Sequence, residues 1–338
     1  MIELRKPYLL FIGDVAKVHS AKTAFGIRDW ARDACLGQYR LTDSAVDIGL
    51  PDLDPRSAAA SGAGSLVIGV APVGGQIPAG WHAALIEAAH AGLDIVSGMH
   101  SLLADIAPLR EAAEASGVRL VDVRVPPPDI PIATGRKRTG RRLLTVGTDC
   151  ALGKKYTALA LADALRRSGA DVSFRATGQT GIIIAGSGIP MDAVVSDFIA
   201  GAAEALSPDA AADHWDVIEG QGAIYHPAFA GVTHGLIHGS QPDVIILCHE
   251  PGRDHFHSFP DFPVRSLRAV ADACLDAARV TNASARLAAV SLNTSHLDDA
   301  ACARALECAS AELGVPAFDP LRTSMDDALA SILGRADG

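Results

Sequence analysis

The sequence predicts an α/β protein built from two parallel-sheet domains. Three observations lead there. Short apolar runs alternate with alanine-rich helical stretches along the chain, as expected of strands joined by crossover helices. The alternation stops at a proline-rich segment and then restarts. Where it restarts, a loop bearing glycine and lysine stands between an apolar run and a helical stretch, the context of a phosphate-binding loop. At about 150 residues per domain, a chain of 338 residues has room for two such cores.

In the first half, residues 8–12, 66–70, 94–97 and 120–123 read as strands, with helices at 83–91 and 104–116. Gly74-Gly75, after the second of these strands, is read as a close approach to a ligand or to the other domain. No G-x-G-x-x-G follows residues 8–12, which argues against a dinucleotide site. Val125-Pro-Pro-Pro-Asp-Ile-Pro131 then puts four prolines in six positions. Such a run is neither central strand nor helix interior, so it reads as a stiff linker. The basic run Arg136-Lys-Arg-Thr-Gly-Arg-Arg142 ends it and reads as a solvated linker or, alternatively, as a clamp on a distal phosphate. The expected domains are therefore 1–125 and 142–338, joined by 126–141. In the second half, residues 143–146, 172–176, 216–218, 244–248 and 287–292 read as strands. Helices are expected at 154–168, 192–206, 264–278, 298–313 and 325–333.

Composition narrows the function. Lysine and arginine number 29 against 39 aspartates and glutamates, a net charge of −10. An acidic chain is a poor polyanion binder, so no nucleic-acid partner is expected, and any phosphate ligand must be held locally. No apolar run approaches the roughly 20 residues of a membrane helix, and 8–12 is too short for a signal peptide because Asp14 follows. Cys35, Cys150, Cys248, Cys274, Cys302 and Cys308 form no C-x-x-C pair. The chain is read as reduced and cytoplasmic, without structural zinc.

The motif with the most chemistry is Gly147-Thr148-Asp149-Cys150-Ala-Leu-Gly153-Lys154-Lys155-Tyr156-Thr157. Its glycines free backbone N–H groups to surround phosphate oxygens. Its lysine reaches over them, and the following helix adds a favourable dipole. The position after Lys154, where a nucleotide hydrolase carries the Ser or Thr that ligates magnesium, is Lys155. An ammonium repels a cation, so the loop reads as neutralising phosphates with protein charge, as a handle on a ligand such as coenzyme A. No metal is expected to be required; Thr157, two positions late, is the residue that would rescue one.

Ligands of open parallel sheets bind beyond the carboxyl ends of the strands. Four polar clusters fall there: Thr177-Gly-Gln179-Thr180-Gly181, Glu219-Gly-Gln221-Gly222 with Tyr225-His226, His249-Glu-Pro-Gly-Arg253, and Asn293-Thr-Ser-His296. Glu219, His226 and His249 are the acid/base candidates. Arg175 and Arg253 are candidates for gripping a substrate carboxylate bidentately or for rim salt bridges. Gln179, Thr180, Gln221 and Asn293 are further substrate contacts. The N–H groups of residues 177–181 or 220–222 would hold a tetrahedral oxyanion. Cys150 and Cys248 are either acyl-carrying thiols or buried apolar residues.

These motifs, taken with the Tyr225-His-Pro227 turn, resemble a family once catalogued only as a domain of unknown function. Its characterised members are D-glutamate N-acetyltransferases. The resemblance covers almost the whole chain and implies a Rossmann-like first domain, a P-loop NTPase-like second domain, and acetyl transfer from acetyl-CoA to the amine of D-glutamate, in D-glutamate catabolism. A homo-oligomer is expected. The C-terminal half also resembles dethiobiotin synthetase, whose loop likewise begins Gly-Thr-Asp and in which Glu219-Gly would occupy a magnesium-binding position. An ATP-dependent ligase or carboxylase is therefore the alternative.

Overall fold

The computed structural model describes residues 1–43, 45–70 and 75–334; Gly74 lies outside the described residues. The chain divides into two compact units, residues 1–127 with 178–190, and residues 128–177 with 191–338.

The first unit is a five-stranded parallel sheet. Across the sheet the order is Cys35–Arg40, Tyr8–Gly13, Ser65–Ile68, Asp94–Ser97 and Leu120–Asp122. Counted along the chain this is 2-1-3-4-5, a doubly wound arrangement whose switch point lies between the first and third strands. The interior strand Tyr8–Gly13 is apolar because both of its faces are covered: Tyr8, Leu9, Leu10, Phe11 and Ile12 are fully buried. The edge strand Cys35–Arg40 escapes a reading based on apolar runs, because Gly37 and Gln38 interrupt it.

Helix Gln179–Ala185 belongs to this unit, although it follows a strand of the other. Its Ile182, Ile183 and Ile184 are buried, and Tyr8 Oη donates to the Ile183 carbonyl at 3.0 Å. Beyond it, Ser187–Gly188 pairs antiparallel with Ile2–Glu3.

The second unit is a six-stranded parallel sheet in the order Ala317–Phe318, Arg286–Leu292, Val244–His249, Arg141–Gly147, Trp215–Ile218 and Val172–Arg175. Leu143, Leu161, Leu165, Val217, Ile246 and Phe318 form part of its core. The strand Arg141–Gly147 is central and parallel to both neighbours, and the chain adds Val172–Arg175 and Trp215–Ile218 on one side of it and the later strands on the other. Its carboxyl end is therefore the switch point of this unit.

The basic run is solvated only in part: Arg136, Lys137 and Arg141 are exposed, whereas Arg138 and Arg142 are buried. Arg142 is fully buried and donates to Ser207 Oγ and to the carbonyls of Arg138, Thr139 and Pro208. Arg138 is buried against the Gly239 carbonyl, and Arg136 and Lys137 pair with Asp209 and Asp243. Arg142 is the second residue of a strand that ends at Gly147. At ~3.3 Å per residue it stands at the far end from the loop, so it is a structural hub and no phosphate clamp. Among the described residues no helix is long and apolar enough to cross a membrane.

Candidate active site

The loop after Gly147 passes through two residues with left-handed backbone, Ala151 (φ 54°) and Gly153 (φ 112°). Gly153 is the N-cap of helix Lys154–Arg167, and its φ is one that a side chain would strain. The fourteen-residue helix therefore starts directly at the loop and turns its unpaired N–H groups and positive dipole end toward it. Lys154 is buried and donates from Nζ to the Asp149 carbonyl at 2.7 Å. Burial lowers its pKa, against the pull of Asp149 and Glu219. The Lys155 ammonium lies 4.6 Å from the Tyr156 ring centroid, and burial lowers its pKa too, opposed by Glu219.

Glu219 follows the adjacent strand and is buried. Its Oε2 accepts from the Thr177 N–H at 3.0 Å, and its carbonyl accepts from Thr177 Oγ1 at 2.6 Å. The next residue has to be glycine. A Cβ on Gly220 would stand 1.7 Å from the Thr145 carbonyl oxygen and 3.2 Å from Lys154 Cδ. This close approach seats the Glu219 turn against the phosphate-loop strand. Gly220 N–H donates to Thr145 Oγ1 at 2.9 Å, and Gln221 Nε2 donates to Thr177 Oγ1 at 3.1 Å.

From the other side, the segment after Val244–His249 locks onto the loop. Asp149 is completely buried. Its carboxylate accepts from the N–H groups of Cys150 and His257 and from Arg253 Nη1 at 3.1 Å. The same Nη1 donates to the Cys150 carbonyl at 3.0 Å, while Nη2 reaches Glu250 at 2.9 Å. Glu250 also accepts from Asn293 Nδ2 at 3.3 Å. His249 Nδ1 is 2.9 Å from Thr148 Oγ1, and burial pushes the imidazole pKa down.

His226 sits in a box of phenylalanines, stacked on Phe229 with centroids 4.6 Å apart and edge-on to Phe256 and Phe259 at 5.1 Å each. Its Nδ1 accepts from the N–H groups of Ala228 and Phe229 at 3.1 and 3.2 Å. The neutral ring therefore carries its proton on Nε2, which lies 3.7 Å from Asp149 Oδ1 and has no hydrogen-bond partner. Ligand atoms of Asp149, Cys150 and His226 come within 4.8 Å of one another. A metal on Nε2 would force the proton onto Nδ1, against two N–H donors. The cluster does not suit a cation.

The family models described as the DUF1611_C P-loop domain and the DUF1611_N Rossmann-like domain, both of unknown function, match residues 131–329 and 38–126. The chain belongs to the DUF1611 family. A crystal structure of a DUF1611 family protein from Anabaena variabilis superposes with a TM-score of 0.83 at 30% identity, covering 98% of this chain and 100% of that one. A D-glutamate N-acetyltransferase of Tritonibacter scottomollicae is 46% identical over 332 residues, 97% of this chain and all of that protein. Another from a Pseudoalteromonas species is 41% identical over 331 residues, 98% of this chain and all of that protein. A Rossmann-like domain followed by a P-loop domain is the α/β fold class that the sequence predicts.

In this DUF1611 chain the rim of the second sheet brings together Thr148, Lys154, Lys155, Glu219, Gln221, His249 and Asn293. Several other candidates fit their roles poorly. Asp149 and Arg253 anchor the loop to each other, so Arg253 is not open to a substrate carboxylate. Arg175 turns down the sheet and binds Asp216 through Nε at 2.6 Å, where Asp216 also accepts from Ser207. Thr157 points into the sheet, its Oγ1 2.7 Å from Ser291 Oγ, so it faces no phosphate or metal. His226 cannot accept a proton at Nδ1. The N–H groups of Thr177 and Gly220 are already engaged and are not oxyanion donors. Gln179 and Thr180 belong to the first unit. Burial raises the thiol pKa of Cys150, and raises that of Cys248 to about 11, which disfavours a thiolate nucleophile. Glu250, which ties Arg253 to Asn293, carries no signal in the sequence beyond its place in the His249 cluster.

Proposed function

We propose that this chain is a cytoplasmic D-glutamate N-acetyltransferase, moving the acetyl group of acetyl-CoA onto the amine of D-glutamate to give N-acetyl-D-glutamate in D-amino-acid catabolism. The observation that carries this reading is the Lys154–Lys155 pair at a helix N-terminus. A nucleotide hydrolase needs a hydroxyl where Lys155 stands, and the hydroxyl of Thr157 is engaged with Ser291. Two cations and the helix dipole suit the pyrophosphate of a carrier ligand without magnesium. Full-length identity with two enzymes named D-glutamate N-acetyltransferase supports the reaction and the acceptor.

In this reading the donor's phosphates lie in the loop from Gly147 to Lys155. The acceptor amine must lose a proton to attack. Glu219, oriented by Thr177 and facing both lysines, accepts that proton as the pyrophosphate takes over the two positive charges. The nitrogen then adds to the thioester carbonyl carbon. Collapse of the tetrahedral adduct restores the carbonyl and breaks the C–S bond, and the departing thiolate takes up the second proton that the nitrogen gives up as it becomes an amide. His249, held by Thr148, is the remaining acid/base group at this rim.

Calorimetry tests the placement of the donor. Lys154→Ala should weaken acetyl-CoA binding by about 1.5–3 kcal/mol, the loss of a charge-assisted hydrogen bond. Unchanged affinity would remove the donor from this loop.

A further inference from the structure

The reaction above leaves the Tyr225-His-Pro227 turn without a role. That turn, within the second unit, carries part of an aromatic patch. Among the described residues the exposed aromatic side chains are Tyr225 at 44%, Phe229 at 52% and Phe262 at 50%, and all three stand at the box around His226. Apolar rings gathered at one exposed place mark a contact surface, where scattered ones would not.

The patch is held in shape and tied to the phosphate loop. The His226 N–H donates to the Ala223 carbonyl at 3.0 Å, and its Nδ1 accepts from the N–H groups of Ala228 and Phe229, which fixes the turn that bears Tyr225 and Phe229. Phe229 stacks on the His226 ring, and Phe262 lies 6.5 Å from Phe259, which meets the same ring edge-on. His226 Nε2 is 3.7 Å from Asp149 Oδ1, so the patch is continuous with the loop. Arg265 is exposed at its edge, with Cζ 5.9 Å from the Tyr225 ring centroid. Among the described residues no carboxylate pairs with it. Exposed rings suit the face of a nucleobase, and an open guanidinium beside them suits a phosphate, which it grips through two N–H groups. Coenzyme A ends in an adenosine 3′-phosphate, joined to its pyrophosphate through the ribose. A protein partner also favours exposed rings, but the open cation and the continuity with the loop favour the nucleotide end.

We infer that this patch binds the adenosine 3′-phosphate end of acetyl-CoA, with the adenine stacked on the exposed rings and Arg265 paired with the 3′-phosphate. The inference rests on the acetyl-CoA reading above and names the residues that distinguish coenzyme A from a donor without that phosphate.

Steady-state kinetics on the full chain, with acetyl-CoA and acetyl-3′-dephospho-CoA as alternative donors, tests it. The wild-type KM for the dephospho donor should lie about 10- to 100-fold above that for acetyl-CoA, the loss of a charge-assisted contact. Arg265→Gln should raise the KM for acetyl-CoA by the same factor and erase the difference between the two donors. Tyr225→Ala should raise both values by about 5- to 100-fold, the loss of a base-stacking contact. The KM for D-glutamate should stay at its wild-type value in both variants, which also shows that they are folded. If both variants use acetyl-CoA with wild-type KM, the patch is not the adenosine site, while the acetyltransferase reading stands. Should Tyr225→Ala instead lower the mass measured by light scattering at unchanged KM, the patch is a contact between copies of this chain and the inference fails. If the wild-type chain makes no N-acetyl-D-glutamate, the reading itself fails and takes this inference with it.

Discussion

Glu219→Gln is expected to slow acetyl transfer by about 10²–10⁴-fold while leaving acetyl-CoA affinity within a few-fold of wild type. The substitution keeps the size of the side chain and its capacity to accept from the Thr177 N–H at 3.0 Å, and removes its negative charge and with it its capacity to take a proton. The rival base is His249, because His226 already accepts two backbone N–H groups at Nδ1. Should Glu219→Gln turn over normally while His249→Ala does not, the proton acceptor is His249 and Glu219 positions the lysines. Pre-steady-state rates with saturating acetyl-CoA separate these outcomes from a binding defect.

The second large effect is on stability. Arg253→Ala should destabilise the fold by about 3–5 kcal/mol, because it leaves the buried Asp149 carboxylate without its cation. The ion pair has almost no access to water: Arg253 is 15% exposed and Asp149 0%. Urea unfolding followed by circular dichroism reads the change. Arg253→Lys should recover only part of it, since a single ammonium cannot replace a fork that serves Asp149, the Cys150 carbonyl and Glu250 together. An alanine variant within 1 kcal/mol of wild type, on the order of an ordinary surface substitution, would mean that the N–H groups of Cys150 and His257 suffice.

The sheet order was legible only in part, and the reasons are local. Buried interior strands such as Tyr8–Gly13 and Val244–His249 announce themselves as apolar runs, because a parallel strand covered on both faces needs apolar side chains throughout. The edge strand Cys35–Arg40 pairs with one strand, meets on its other side only the bridge between Gln38 and Asp52, and has no such requirement. Helix Gln179–Ala185 opens with a glycine-bearing turn after a strand of the second unit, so local pattern reads it as a loop of that unit. Its membership of the first depends on where three isoleucines are buried, which no local pattern reveals. The basic run from Arg136 to Arg142 reads as solvated because charge runs usually are. Only the fold discloses that the carbonyls of residues 138, 139 and 208 converge on Arg142.

At the site the difference is between position and pairing. That Glu219, His249 and Asn293 follow strands of one parallel sheet is a matter of pattern and topology. Which arginine faces a ligand is decided by side-chain partners far apart in sequence. Arg253 and Asp149 are 104 residues apart and Arg175 and Asp216 are 41 apart. The tautomer of His226 likewise follows from a turn two residues downstream, whose N–H groups define which nitrogen is the acceptor.

In the proposed function the loop serves acetyl transfer to D-glutamate without a metal. One assay addresses it: purified chain, acetyl-CoA and D-glutamate in excess EDTA, with N-acetylglutamate followed by mass spectrometry and coenzyme A release followed with a thiol reagent. Stoichiometric formation of both products is expected from D-glutamate, with little from L-glutamate and no gain on adding magnesium and ATP. Absence of acetylated product, or activity that disappears in EDTA and returns only with magnesium and ATP consumption, would contradict it and favour a ligase or carboxylase of the dethiobiotin synthetase type.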